Sequence, residues 1–308
     1  MGIRIAVLGL GAWGQTLLER WAQQGHTVTG WSRRSGSSPA ELLANQELVV
    51  SAVAMAGVQT LAEQLAPHWP SGLPLLSCSK GLDLHLLATA SQLWSNQLAD
   101  AAPLLVLSGP NLATEVRQGL PAASVISAAD EDLARRFQQQ LSDTSLRLYT
   151  NTDPIGTEAA GALKNVMAVA AGISDGLALG SNAKASLLCR GLAEIGVVLE
   201  GLGGATSTLY GLAGLGDLLA TANSSLSRNY RCGLLLAEGC SEEQASKRIS
   251  ATVEGPRTAR AALQLAKRKG WHLPICEQVV QVLEGQTTPA AAVKALMERD
   301  LRPELQQL

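Results

Sequence analysis

The sequence predicts an α/β domain with a mostly parallel sheet over residues 1–150, followed by an all-α domain over residues 151–308. Three observations carry this. The chain of 308 residues exceeds the usual size of a single core, so two domains of roughly 150 residues are expected. As far as Thr150, short apolar runs alternate with amphipathic stretches, as a parallel sheet covered by helices requires. After Tyr149 the strand signals stop. With 46% hydrophobic and 16% charged residues, the composition suits packed globular domains and excludes a disordered chain.

Strands are expected at Ile3–Leu8, Thr27–Trp31, Leu48–Val53, Pro74–Cys78, Leu104–Leu107, Ser124–Ser127 and Leu146–Tyr149, with helices between most of them. Asp130 is placed to cap a helix through Leu141, because Leu133, Phe137 and Leu141 recur every four residues on one face. The domain boundary is expected at Asn151-Thr152-Asp153-Pro154, with Asp153 as N-cap and Pro154 at the first helical position. Helices are then expected from Pro154 to about Gly176, Lys184 to about Glu200, Asn229 to about Glu238, Ser241 to Ile249, Gly255 to about Lys269 and Ala290 to Met297.

Directly after the first strand comes Gly9-Leu10-Gly11-Ala12-Trp13-Gly14. In this spacing the first glycine permits a tight turn, the second lets backbone approach a pyrophosphate, and the third lets helix and strand pack closely. Amides near Ala12 and Trp13, at the start of the following helix, would favour phosphate charge. Glycine is abundant here, with 30 copies, so the pattern alone is weak; its place between a buried-looking strand and the amphipathic run from Gln15 to Gln24 makes it a Rossmann-type dinucleotide loop. After the second strand the chain reads Trp31-Ser32-Arg33-Arg34, without the acid that usually binds the adenosine ribose in NAD-preferring proteins. Two guanidinium groups there suit the ribose phosphate of NADP; solvated loop arginines are the plainer alternative, and NAD stays open.

In the second half, Lys164 sits in an almost uncharged helical run with Asn165 beside it and Gly161 one turn earlier. Desolvation disfavours an ammonium, so Lys164 is a candidate general acid/base; a snorkelling lysine is the alternative. Asp217 follows the glycine-rich bend Gly211–Gly216 and could orient Lys164, bind a substrate hydroxyl, or cap a helix. Ser227-Arg228-Asn229 offers hydroxyl, guanidinium and amide donors to a phosphate, or serves as a helix start. Lys80, in Ser77–Leu82, and Gly109 with Asn111, in Ser108–Ala113, lie past strand ends, where open parallel sheets bind ligands.

A net charge of −2 gives no footprint for wrapping nucleic acid. No run reaches the roughly 20 apolar residues of a membrane span, since Val166–Leu179 contains Ser174 and Asp175. The N-terminus passes at once into strand and helix signals rather than a signal peptide, so a cytoplasmic protein is expected. Five cysteines and four histidines are scattered without metal-ligand spacing, and no metal is expected.

Taken in order, GLGAWG from Gly9, SCSKGL from Ser77, SGPNLATEV from Ser108, GALKNVMAVAAGISDGL from Gly161, NAKASLLCRGLAEI from Asn182, GLAGLGDL from Gly211 and SRN from Ser227 cover nearly the whole chain. The chain resembles the bacterial-type NAD(P)-dependent glycerol-3-phosphate dehydrogenases. The resemblance implies reversible hydride transfer between NADPH and dihydroxyacetone phosphate, giving sn-glycerol 3-phosphate for glycerophospholipid synthesis, and a possible homodimer. It implies that Lys164 donates the proton in ketone reduction, supported by Lys80, Asn165 and Asp217. Substrate contacts are implied for Lys80, Gly109, Asn111, Lys164, Asp217, Ser227, Arg228 and Asn229. Cofactor positions fall on Gly9, Gly11, Ala12, Trp13, Gly14, Arg33, Arg34, Lys80, Ala113, Arg228 and Glu254.

Two stretches depart from the family pattern. The segment Ser35–Glu47 is shorter than the family's and lacks its usual aromatic segment, and Ala52-Val53-Ala54 replaces the common Ala-Val-Pro ending; Asn111, in addition, stands where serine or threonine is common. Another lysine-dependent reductase, of 3-hydroxyacids or ketopantoate, and a non-catalytic NADPH sensor are the competing readings.

Overall fold

The computed structural model describes residues 2–301. Its seven strands are β1 (Arg4–Leu8), β2 (Thr27–Trp31), β3 (Leu48–Ser51), β4 (Leu75–Ser77), β5 (Leu104–Ser108), β6 (Ala122–Ser127) and β7 (Leu146–Asn151). They form one sheet in the order β2-β1-β3-β4-β5-β6-β7. β1 to β5 are parallel; β6 runs against β5, and β7 runs parallel to β6. The reversal follows from the connection. Between β5 and β6 lies only the short helix Ala113–Arg117. Five helical residues rise roughly 8 Å, too little to return along a five-residue strand of roughly 16 Å. Between β6 and β7 the 11-residue helix Glu131–Leu141 makes that return.

Strand residues alternate between two apolar layers. Ile5 and Val7 of β1 join Leu17 and Trp21 of the helix Ala12–Gln23 and Phe137 and Leu141 of the helix Glu131–Leu141. Ala6 and Leu8 point the other way, to Val58, Leu61, Leu93 and Trp94. Burial on both faces is why these strands read as continuous apolar runs. The Asp130 carboxylate accepts from the amides of Asp132 and Leu133, the cap expected from the sequence.

By contacts the chain divides into two compact units. Residues up to Lys80 with Ala88–Glu158 form the sheet unit, and Gly81–Leu87 with residues from Ala159 onward form the helical unit. The division therefore falls inside the helix Pro154–Gly176 rather than just before it. Asp153 caps that helix, its Oδ1 accepting from the Gly156 amide at 2.9 Å.

In the helical unit, Ala159, Leu163, Val166, Met167, Val169 and Ile173 are buried around this helix. It packs against the helix Arg228–Ala237. A Cβ on Gly172 would lie 2.1 Å from the Tyr230 carbonyl oxygen, and one on Gly233 would lie 2.0 Å from that of Val169. The two backbones touch. The helix Pro274–Leu283 was not expected from the sequence. It carries β-branched Ile275, Val279, Val280 and Val282, and no side chain of its own N-terminus caps it. The cap comes from Glu194, whose carboxylate accepts from the amides of Ile275 at 2.6 Å and Cys276 at 3.1 Å. Burial pushes the Glu194 carboxyl up to about 7. No helix of the described residues is long and apolar enough to cross a membrane.

Candidate active site

In the sheet unit the glycine loop joins β1 to the helix Ala12–Gln23. Gly9 has φ +97°, a conformation L side chains rarely adopt, and a Cβ there would lie 2.8 Å from the Ala52 oxygen. A Cβ on Gly14 would lie 1.9 Å from the Gly9 oxygen, so this glycine permits the tight seat of helix on loop. Around Gly11, by contrast, a Cβ would meet nothing within 4 Å. The middle glycine borders open space at a helix N-terminus, where a pyrophosphate would find amides and a favourable dipole. The loop fits a dinucleotide.

Thr16, one turn into that helix, donates its hydroxyl to the Ala12 oxygen at 2.8 Å and to the Ala113 oxygen at 3.4 Å. This draws Ala113 to the same helix. Trp13 lies beside the Cys78 thiol, which burial pushes up to about 12, so the thiol stays protonated and structural. Arg33 and Arg34 are exposed on a turn after β2, held by the Ser35 amide donating to the Ser32 oxygen at 2.9 Å. The short segment that follows turns back under β2: the Trp31 indole donates to the Ser37 oxygen at 2.9 Å, and Pro39 and Leu43 are buried.

A second group gathers at the C-terminal ends of β4 and β5. Lys80 Nζ donates to the Gly109 oxygen at 3.0 Å, and Ser79 Oγ to the Val53 oxygen at 2.8 Å. Gly109, at φ +139°, lies against Ser124 of β6. Ser124 Oγ donates to Asn111 Oδ1 at 2.5 Å, leaving the buried Asn111 Nδ2 without a partner. Lys80, Gly109 and Asn111 thus share one sheet edge, the edge at which open parallel sheets bind ligands.

In the helical unit Lys164, Asn165, Asp217, Ser227 and Asn229 are all buried. Lys164 Nζ donates to Asp217 Oδ1 at 2.5 Å and to Thr221 Oγ1 at 2.6 Å, and Thr221 Oγ1 donates to Asp217 Oδ1 at 3.1 Å. Burial of two charges is tolerable because they are paired and hydrogen-bonded. Asp217 opens the helix Asp217–Ala222 directly after a π-helical turn, Leu212–Gly216, made by the glycine-rich run. Its side chain reaches Lys164 instead of capping the helix. Such turns recur at functional sites because they re-aim the residues around them.

On the next helical step Asn165 Oδ1 accepts from Asn229 Nδ2 at 2.8 Å, and Asn229 Oδ1 accepts from the Gly255 amide at 2.9 Å. Ser227 caps the helix Arg228–Ala237, accepting from the Tyr230 amide at 3.2 Å, and Arg228 is exposed at its first position. The Tyr230 hydroxyl donates to Asp175 Oδ2 at 2.6 Å, fixing that first turn. Glu254 begins the helix Glu254–Lys269, beside Gly255.

Two buried residues with polar partners escaped the sequence reading. Thr221 stands one turn after Asp217, a spacing that would have flagged it. Glu158, a carboxylate buried in the sheet unit, could have been noticed as an acid directly before two alanines in an apolar helix. Its partners, Ser77 and Ser91, lie too far away in sequence for local reading.

The two halves match family models: NAD-dependent glycerol-3-phosphate dehydrogenase N-terminus over residues 34–134 and C-terminus over residues 153–294. Among curated relatives, glycerol-3-phosphate dehydrogenase [NAD(P)+] of Synechococcus sp. (strain RCC307) is 55% identical, covering 99% of this chain and 100% of its own. That of Gloeobacter violaceus (strain ATCC 29082 / PCC 7421) is 48% identical over 98% and 99%. A crystal structure of glycerol-3-phosphate dehydrogenase from Coxiella burnetii superposes with a TM-score of 0.92 at 32% identity, covering 97% of this chain and 99% of that one.

Proposed function

Because the chain belongs to the NAD-dependent glycerol-3-phosphate dehydrogenase family, we propose that it reversibly reduces dihydroxyacetone phosphate to sn-glycerol 3-phosphate with NADPH, feeding glycerophospholipid synthesis in the cytoplasm. The observation that carries the reading is the buried Lys164 held by Asp217 and Thr221, with Asn165 and Asn229 joined on the neighbouring step. A sensor of NADPH alone has no use for this second polar constellation.

The reduced nicotinamide supplies a hydride to the central carbonyl carbon when it is bound. Gly9, Gly11, Ala12, Trp13, Gly14 and Ala113 hold the dinucleotide, and Arg228 and Glu254 contribute from the helical unit. As negative charge grows on the carbonyl oxygen, the Lys164 ammonium gives up a proton to it: the new O–H bond forms as the N–H bond breaks, and solvent later restores the proton. Lys80 stabilises the same charge electrostatically, a contribution larger in the transition state than in the neutral ketone. Asp217 and Thr221 keep Lys164 in one orientation. Arg228 and Asn229, with Ser227 beside them, hold the phosphate, which fixes the carbonyl and lowers the orientational cost. In the reverse direction neutral Lys164 accepts the hydroxyl proton.

Paired absorbance assays with NADPH and NADH, using dihydroxyacetone phosphate, test the reaction and the cofactor together. Oxidation of neither cofactor refutes the reading. Arg33 and Arg34 favour NADPH: Arg33→Ala and Arg34→Ala are each expected to weaken NADPH binding about 10- to 100-fold, as loss of a charge-assisted hydrogen bond of roughly 1.5–3 kcal/mol implies, and to leave NADH binding unchanged. Equal losses for both cofactors would remove the ribose-phosphate assignment.

The glycine loop gives a second contrast. Gly14→Ala is expected to cost about 1–3 kcal/mol of stability, since its Cβ meets backbone. Gly11→Ala, facing open space, is expected to melt like the parent while binding NADPH about tenfold more weakly, a change of roughly 1.4 kcal/mol. Thermal unfolding and fluorescence titration of both variants check this.

A further inference from the structure

The chain passes between its two units at three places, Lys80–Gly81, Leu87–Ala88 and Glu158–Ala159. One carboxylate gathers the sheet unit's side of all three. Glu158 Oε1 accepts from Ser77 Oγ at 3.4 Å and from the Ser91 amide at 2.9 Å; Oε2 accepts from Ser91 Oγ at 2.5 Å and from the same amide at 3.1 Å. Ser77 ends β4, three residues before the first passage. Ser91 stands in the first turn of the helix Ala90–Leu98, three residues after the second. Glu158 itself is the residue at the third.

The arrangement is costly. Glu158 is 2% exposed, and hydroxyls and an amide hold it, aided by the positive end of the helix Ala90–Leu98. A well-packed apolar residue would fill such a place with less desolvation. What the carboxylate secures is direction. Three residues beyond Ser77 lies Lys80, and six and seven residues beyond Glu158, on the same helix, lie Lys164 and Asn165. A tilt of that helix at Glu158 is carried along roughly 9 Å of helix to Lys164.

We propose that Glu158 is a positioning residue for catalysis, fixing through Ser77 and Ser91 the exits from the sheet unit that carry Lys80 and the Lys164 helix. It rests on the dehydrogenase reading. The test uses the full chain and compares Glu158→Gln and Ser77→Ala with the parent, measuring kcat and KM for dihydroxyacetone phosphate, NADPH binding by fluorescence, and thermal unfolding. A displacement of reacting groups near 1 Å costs about 100-fold. Glu158→Gln is expected to lower kcat by about 10- to 100-fold and Ser77→Ala by several-fold, with NADPH affinity unchanged in both.

Unchanged kcat in a folded Glu158→Gln overturns the proposal. So does a fall in kcat matched by an equal fall in NADPH-binding capacity, because that signals unfolding alone. Should Glu158→Gln fail to fold, Ser77→Ala decides: lowered kcat with intact NADPH binding supports the role, and unchanged kcat overturns it. A parent that does not turn over dihydroxyacetone phosphate would instead refute the dehydrogenase reading, whatever the variants do.

Discussion

Lys164→Ala is expected to lower turnover of dihydroxyacetone phosphate by about 10²- to 10⁴-fold, the range contributed by a positioned general acid. Binding of NADPH should remain close to that of the parent. The two expectations separate because Lys164 lies in the helical unit, with Asp217 and Thr221 as its hydrogen-bond partners, whereas the glycine loop and Arg33–Arg34 belong to the sheet unit. Stopped-flow or steady-state absorbance gives the first quantity and fluorescence titration the second. Parent-like turnover would end the assignment of Lys164. A parallel loss of cofactor binding would show damage beyond the proton donor. Lys164→Arg is no rescue, because the guanidinium keeps its proton and does not fit an ammonium's place.

The largest stability effect is expected from the same pair. Lys164→Met and Asp217→Leu, made singly, each remove the opposite charge from a buried group 2.5 Å away and are expected to cost about 3–5 kcal/mol. The double variant replaces the ion pair by apolar groups and is expected to regain most of that loss while staying inactive. Denaturant unfolding of the four proteins forms a double-mutant cycle, and its coupling energy measures the pair. Additive losses would mean that the two charges do not depend on each other. The cycle matters because activity alone cannot tell a charge kept for chemistry from one kept for folding; recovered stability without recovered turnover can.

What could be read in the sequence was local. The glycine loop follows its strand by one residue, the Asp130 cap lies beside the helix it starts, and Lys164 stands out in an apolar helix. Each signal fits within one or two helical turns, and the structure bears out the loop, the cap and the burial of Lys164. The elements that escaped depend on distant partners. The helix Pro274–Leu283 is capped by a carboxylate 81 residues earlier, so its own N-terminus showed no cap and its β-branched residues argued against it. The reversal of β6 leaves no trace in apolar patterning, which has the same period in both strand directions. The passage inside the helix Pro154–Gly176 was equally hidden, because capping chemistry marks where a helix begins and not where packing partners change. Asn165 and Asn229 were each visible, but their hydrogen bond joins positions 64 residues apart.

Gly172 and Gly233 set a boundary on how this molecule can be altered. Their helices meet backbone to backbone, with no side chain between them to shrink, grow or change rotamer. The spacing of Asn165 from Asn229 is therefore fixed by the thickness of two polypeptide chains. Lineages or laboratory selections that change the size of the accepted substrate have no adjustable shim at this crossing. They must instead change side chains elsewhere in the helical unit, leaving the glycine crossing as the fixed datum from which its other parts are gauged.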